Sequence, residues 1–303
     1  MKGKWSTVAL IGIFLIGLSI LLYPAVSNYI NEKNQSKAIF DYDMTISSMT
    51  EEDFSHYFEE ANEYNDRLRA DPMAFYNPAL VDGYDKTLAI DDTGIIGYLY
   101  IESLQVSLPI YHDTKDLTLQ TATGHLKGTS FPVGGVGTHS VIVGHRGLPR
   151  AKLFTNLDKL KNGDIFTITI LNRVLTYEVD QIRIVLPDET EELQTIPGED
   201  QGTLLTCTPY GINTHRLLVR GKRITNIDVP EEMTVVVTAD AFEIDPLVVT
   251  PIVAAPMLVV LFIILLIGTS RKKKNRVEEY LKKVNIVTAE TDQEGKENED
   301  DYS

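Results

Sequence analysis

Hydrophobic and polar positions along the chain fall into distinct regimes. Thr7 to Val26 (TVALIGIFLIGLSILLYPAV) and Leu247 to Gly268 (LVVTPIVAAPMLVVLFIILLIG) carry no charge, and each is close to the roughly 20 residues that cross a hydrocarbon core as helix. Both are predicted to span a membrane. Between them, Phe54, Tyr57, Phe58, Ala61, Tyr64 and Leu68 recur at helical spacing behind Thr50-Glu-Glu-Asp53, a capping box with Asp in its last place. This amphipathic helix should stop at Asp71-Pro72, because a residue before proline is pushed out of the helical region. Its aromatic stripe reads as a face packed on the rest of the domain.

From Ile95 to Ile224 the pattern changes to short runs of Val, Ile, Thr and Tyr separated by Gly, Pro, Asn and Asp, the composition of strands and turns. Strands are predicted near Ile96 to Ile101, Val106 to Tyr111, Ser140 to Gly144, Ile165 to Leu171, Val174 to Leu186, Thr203 to Cys207 and His215 to Ile224. The longest of these needs a bend or a second strand. Ala151 to Lys161 has apolar residues at 153, 154, 157 and 160 and reads as a short surface helix. Many short strands with few helices predict a mostly antiparallel barrel or sandwich.

Charge orients this layout. Lys2 and Lys4 precede the first span, and Arg271, Lys272, Lys273, Lys274 and Arg276 follow the second, which puts both ends in the cytoplasm and residues 28 to 246 outside. Ala25-Val26-Ser27 also has the small residues of a signal-peptidase site, but the apolar run from Val8 to Tyr23 exceeds the usual h-region of about 7 to 15 residues. An uncleaved anchor is the expectation. The basic run beyond the second span should lie against anionic membrane lipid, and the acidic, polar tail after Val277 has the composition of a flexible extension. Acidic residues outnumber basic ones 43 to 28, so no basic stripe is available for nucleic acid. Neither CxxC nor HExxH occurs, and no metal or other cofactor is expected.

The chain contains one cysteine, Cys207, in TLLTCTPYGINTHR. It cannot close an intrachain disulfide, so it is either a buried small hydrophobe or a reactive thiol. TLLTC reads as a strand, PYGIN as a turn and THRLLVRGKRI as the returning strand, a hairpin that brings Arg216 back beside Cys207. Arg216 is there either a solvent-facing strand residue or a fork of N–H donors for an oxyanion. Thiol chemistry also needs a proton carrier. Of six histidines, His145 stands out, because it follows the apolar run SVIVG and lies in GHRG at a strand end. His125 in TGHLKG is similarly placed, and His215 should point to the sheet face opposite Arg216.

TLLTCTPYGINTHRLLVRGKRI resembles the active-site signature of sortases, the membrane-bound cysteine transpeptidases of Gram-positive bacteria. GTHSVIVGHRGLPRAKLFTNLDKLKNGD resembles the segment that carries their catalytic histidine, and the likeness runs from about Gly94 to Ile224. The C-terminal span followed by RKKK, with an N-terminal helical extension, is similar to class C, the pilus-building sortases. The resemblance implies a sortase-type closed β-barrel, with Cys207 as nucleophile, His145 as general acid and base, and Arg216 as the oxyanion or substrate-orienting group. It implies cleavage of an LPxTG-like sorting signal between Thr and Gly through a thioester, and transfer to a lysine amine of the next pilin subunit. The implied partners are pilin subunits with C-terminal sorting signals, or peptidoglycan precursor if the enzyme anchors proteins to the wall. A non-catalytic membrane-tethered assembly module is the alternative of a different kind.

Class C sortases carry an N-terminal lid with an Asp-Pro-aromatic motif. This chain departs from it, with Asp71-Pro72-Met73 and Phe75 two residues on, or Asn77-Pro78-Ala79 nearer the barrel. Either Asp71 pairs with Arg216 and Met73 or Phe75 covers Cys207, or the segment is an ordinary helix-ending turn. The expected layout is an anchor at 1–27, a helical extension with lid at 28–93, the catalytic barrel at 94–226, a linker at 227–246, a second span at 247–268 and a cytoplasmic tail at 269–303.

Overall fold

The computed structural model describes residues 2–225, together with positions 255, 256, 258–260, 262, 263 and 281. It divides into two units, Met1–Leu21 with Ala241–Ser303, and Leu22–Asp240. Within the first, the Phe14 and Phe262 rings stack 4.6 Å apart. Among the described residues one helix, Ile11–Ile46, is long and apolar enough to cross a membrane. The expected linker and cytoplasmic tail, and most of the expected second span, lie outside the described residues.

Helix α1 (Lys2–Ile46) continues well past the apolar segment. In the second unit its Asn28, Asn31, Gln35, Ile39 and Tyr42 recur every three or four residues and so share one face. That face bonds to the barrel largely through polar atoms. The Lys152 N–H donates to Asn28 Oδ1 at 2.9 Å, Asn31 Nδ2 donates to the Arg150 carbonyl at 2.6 Å, and Gln35 Nε2 donates to the Thr121 carbonyl at 2.6 Å. The buried Tyr42 hydroxyl donates to the Ile96 carbonyl at 2.9 Å and accepts from the Leu171 N–H at 2.8 Å. Helix α2 (Glu51–Ala70) follows, with the Thr50–Asp53 capping box formed. Phe54, Phe58, Ala61, Tyr64 and Leu68 are buried, and the helix ends at the residue before Asp71-Pro72, as the sequence predicts. Its buried Asn65 amide grips one residue twice, donating to the Phe131 carbonyl at 3.1 Å and accepting the Phe131 N–H at 2.7 Å.

Eight strands form a closed barrel: β1 (Ile95–Ile101), β2 (Val106–Tyr111), β3 (Thr123–His125), β4 (Thr138–Gly144), β5 (Ile165–Ile170), β6 (Arg173–Val185), β7 (Asp200–Thr208) and β8 (His215–Arg223). Their order around the barrel is β1-β2-β3-β4-β7-β8-β6-β5. Only β2–β3 and β4–β7 pair in parallel; the remaining neighbours are antiparallel. The short β3, three residues long, has no signature in the hydrophobic pattern. The long run expected to bend is one strand, β6, with a register shift between Val179 and Gln181, which is how one extra residue bends a strand without ending it. Leu99, Ile101, Ile110, Ile142, Phe166, Ile168, Leu204 and Val219 fill the interior.

The surface helix expected over 151–161 is not present. The segment is a series of turns with a 3₁₀ turn at Leu157–Lys159, and Leu153, Phe154, Leu157 and Leu160 are buried in the main core. Their helix-like spacing serves a loop folded against the barrel: the Phe154 N–H donates to the His145 carbonyl at 3.1 Å. A Cβ at Gly144 would stand 2.6 Å from Phe154 Cδ2, so glycine is what lets the ring approach.

Tyr42→Phe keeps the packed ring but leaves the Leu171 N–H and the Ile96 carbonyl short of a buried partner, a loss worth about 1–3 kcal/mol. Thermal unfolding should register this as a lower Tm, whereas Tyr29→Phe on the exposed side of α1 should leave Tm unchanged.

Candidate active site

Strand β7 lies between β4 and β8, and this arrangement aligns the chemistry. The antiparallel β7–β8 pairing sets Cys207 directly opposite Arg216, so their side chains leave the same face of the sheet. On the other side, β4 and β7 run parallel with a constant offset, from Thr138 with Asp200 to Val143 with Leu205. Backbone pairing stops there, but side chains extend the same register. The buried Thr206 hydroxyl donates to the Gly144 carbonyl at 2.8 Å, and Arg146 Nη1 donates to Thr208 Oγ1 at 3.3 Å, both across 62 positions. The residue before Cys207 is thus tied to the residue before His145, and the residue after to the residue after. Extended past the end of β4 by those two bonds, the register sets His145 level with Cys207 and Arg216, on neighbours spaced about 4.8 Å apart.

The three side chains differ in surroundings. The Cys207 thiol is free and partly buried. His145 is one-third exposed (33%), with Nε2 3.6 Å from Asp116 Oδ1 on the short helix α3 (Asp116–Leu119), whose carboxylate is itself 81% exposed. Arg216 uses Nη1 to donate to the Asn213 and His215 carbonyls at 3.3 and 3.1 Å, which steadies the guanidinium on its own turn. Beside Arg216 opens a cavity of about 470 Å³ whose wall includes Val143, Val185, Leu205 and Leu218.

Phe75 lines that cavity and, like Leu126, Val143, Val185 and Leu205, packs against the buried cluster of Val141, Leu193 and Leu218. Met73 is 59% exposed. Asp71 does not pair with Arg216: its Oδ1 accepts the Met73 N–H at 2.9 Å, capping the 3₁₀ turn Pro72–Ala74, and no ion pair joins the two residues among the described contacts. The neighbouring Tyr76 hydroxyl accepts from Gln194 Nε2 at 2.6 Å, and Gln194 in turn accepts at its carbonyl from the His139 ring. Thr206, Thr208 and Arg146 were not distinguished by residue pattern alone. Their only signal is position, immediately beside the thiol and the imidazole.

This part of the chain is similar to known proteins. A model of the sortase domain matches residues 99–224. The crystal structure of sortase C1 from Streptococcus agalactiae is 46% identical, with a TM-score of 0.58; the match covers 63% of this chain and all of that one. Sortase C from Clostridium perfringens, solved with the C-terminal cell wall sorting motif, is 42% identical over 63% of this chain and 99% of its own, with a TM-score of 0.55. Sortase A of Bacillus anthracis is 25% identical over 217 residues, 72% of this chain and 93% of its own. The chain belongs to the sortase family of cysteine transpeptidases. Its structural neighbours at about 40–50% identity are class C sortases.

Two other histidines of the barrel, His125 and His139, are occupied by structure. His125 is buried, with Nδ1 2.9 Å from the Tyr84 hydroxyl and Nε2 2.9 Å from the Ser130 carbonyl. His139 is buried between the Gln194 carbonyl and the Thr203 hydroxyl. Loss of solvation outweighs these hydrogen bonds and pushes His125 down to about 3 and His139 down to about 4. Both rings stay neutral in the fold, while an unfolded chain protonates them below about pH 6.5. Unfolding therefore takes up protons, and each ring withdraws up to about 1.4 kcal/mol per pH unit as pH falls from 6.5 toward its folded value. Asp200, raised by burial, works in the opposite direction. Tm measured from pH 7.5 to 5 should fall less steeply in His139→Gln than in the native chain; identical slopes would remove His139 from the acid response.

Proposed function

We propose that this sortase polymerises pilins: it cleaves an LPxTG-like sorting signal between Thr and Gly and joins the new carboxyl end to a lysine amine of the next subunit. The observation that carries the reading is the row His145, Cys207, Arg216, built around the only cysteine of the chain. The pilus assignment is supported by its neighbours, among them a sortase C1 described from a group B streptococcal pilus island. By this reading residues 1–27 anchor the chain, 94–226 form the catalytic barrel outside the cell, and both ends lie in the cytoplasm.

In the proposed reaction the Cys207 thiolate attacks the Thr carbonyl carbon, and the displaced electron pair rests on the carbonyl oxygen. Arg216 stabilises that oxyanion. Its Nη1 is engaged with the turn, while its Nε and Nη2 hydrogens have no acceptor among the described residues and remain available. Collapse of the intermediate breaks the Thr–Gly bond as His145 protonates the leaving amine, and a thioester remains on Cys207. A lysine ε-amine then attacks the thioester, His145 takes its proton, and the thiolate leaves. The thioester conserves acyl-transfer potential, so the isopeptide bond forms without ATP. Phe75 is the lid ring in this reading, because it packs against the cavity wall beside Arg216, whereas Met73 faces solvent.

Cys207→Ala should abolish the acyl-enzyme with a sorting-signal peptide, and Arg216→Ala should lower its rate of formation about 100- to 1,000-fold. Full pilus assembly by a Cys207→Ala strain lacking other sortases would sink the assignment. Mass spectrometry of the product identifies the acceptor: a pilin lysine supports polymerisation, and a wall cross-bridge amine supports anchoring to peptidoglycan precursor instead. Phe75→Ala should speed alkylation of Cys207 by a small thiol reagent, and Met73→Ala should not; equal rates for both would remove Phe75 from the lid role.

A further inference from the structure

We infer that Arg146 is a positioning residue that holds His145 against Cys207 beyond the point where backbone pairing between their strands ends. The inference rests on the reading of Cys207 as nucleophile and His145 as acid and base. Strand β4 ends at Gly144 and its backbone pairing with β7 ends at Val143, so the ladder supplies nothing at His145 itself. Thr206 restrains the near side through its bond to the Gly144 carbonyl. On the far side the backbone turns away: Gly147 has a positive φ of 78°, and its N–H donates to Thr155 Oγ1 at 3.2 Å. Among the described side-chain hydrogen bonds, it is that of Arg146 that crosses back to β7. Its Nη1 donates to Thr208, the residue after the thiol, and its Nη2 donates to Asp158 Oδ2 at 2.5 Å. The guanidinium carbon also lies 6.0 Å from the centre of the Tyr210 ring, in the turn that leads to Arg216. One rigid fork therefore joins the histidine loop, the cysteine strand end and the segment at 158.

The energetics of the residue favour a positioning task over a stabilising one. The Arg146 side chain is only 8% exposed, its Nε is buried without a partner, and its one carboxylate partner is 48% exposed. A cation so desolvated and incompletely paired is costly to bury, and an uncharged side chain of similar volume would leave behind a half-exposed Asp158 that stays hydrated, so the replacement costs little stability. What an uncharged replacement cannot do is span from Asp158 to Thr208. Acyl transfer is sensitive to such a span, because displacement of a catalytic group by about 1 Å can cost about 100-fold in rate.

The test uses the full-length chain in detergent micelles with a fluorogenic LPETG peptide. Arg146→Met should lower kcat about 10- to 100-fold while KM stays within about two-fold, with Tm close to that of the native chain. Arg146→Lys, which keeps the charge but lacks the fork, should recover only part of the loss. Thr208→Val should lower kcat in the native background and add nothing to Arg146→Met, since both remove one contact. Native kcat in a folded Arg146→Met overturns the inference. So does a loss of kcat matched by a fall in Tm that Arg146→Lys restores together with it. If Arg146→Met fails to fold, Thr208→Val decides alone, and native kcat there overturns the inference. Cys207→Ala and His145→Ala run in parallel: turnover by either means that the reading of the nucleophile and base has failed, whereas inactive controls beside a fully active Arg146→Met mean that only the positioning role has.

Discussion

The parallel pairing of β4 with β7 is the constraint on which the site depends. An antiparallel pair is closed by a local turn, as β7 and β8 are by the residues between Thr208 and His215, but a parallel pair has to be closed by chain that travels away and returns. Here the returning chain is β5 and β6, which pair with each other and then with β1 and β8. Closing the barrel is therefore the same event as bringing the histidine loop beside the cysteine strand. Half of the site, Cys207 with Arg216, is a local hairpin product, and the other half is a product of the whole topology.

Polar contacts then fix what the apolar core leaves free. A barrel filled by Leu, Ile, Val and Phe is indifferent to small rotations of elements packed on its outside, since apolar burial is non-directional. Helix α1 is set instead by directional bonds from Asn28, Asn31, Gln35 and Tyr42 to barrel backbone, and two of these close on Arg150 and Lys152, in the loop that follows His145. Helix α2 repeats the device with Asn65 on Phe131 and adds the Arg173 guanidinium 3.7 Å over the centre of the Phe58 ring. The segment carrying Phe75 leaves α2 at its C-terminus, so the position of that ring on the cavity depends on how firmly α2 is seated.

Much of this was legible in the sequence, in proportion to how local each feature is. The α2 capping box, its stop at Asp71-Pro72 and the β7–β8 hairpin are written in adjacent residues, and they appear where the pattern puts them. The barrel follows from the density of short strands, but the parallel pairings do not, because nothing in β4 or β7 alone encodes the direction of its neighbour. The α1 face escaped a hydrophobic reading because its contacts are amide to backbone. Residues 151–161 misled it for the opposite reason: apolar spacing at 153, 154, 157 and 160 suits a helix, yet Leu153 adopts a positive φ of 37° and the four side chains enter the core from turns. For Asp71 the sequence leaves open a pairing with Arg216 or an ordinary helix-ending turn, and the structure has the turn: the carboxylate accepts the nearest backbone N–H, that of Met73, which is the local bond an aspartate at a turn makes most readily.

In the proposed reading, the two arginines beside the thiol divide one residue type between chemistry and architecture. Arg216 sits on a paired strand, so its backbone is already fixed. Its guanidinium spends one nitrogen on the carbonyls of its own turn and leaves its other donors without an acceptor among the described residues, beside the cavity. Arg146 lies past the end of a strand, where backbone pairing fixes nothing, and its terminal nitrogens are committed to protein acceptors. A donor meant for charge that develops during reaction has to be held in place yet left without a ground-state partner, whereas a strut has to be satisfied at both ends. Lysine suits neither role, since a single point of charge cannot be steadied through one nitrogen while it offers another. The strand register decides which arginine does which: the ladder positions Arg216 from below, and Arg146 takes over the ladder's work at the place where it runs out.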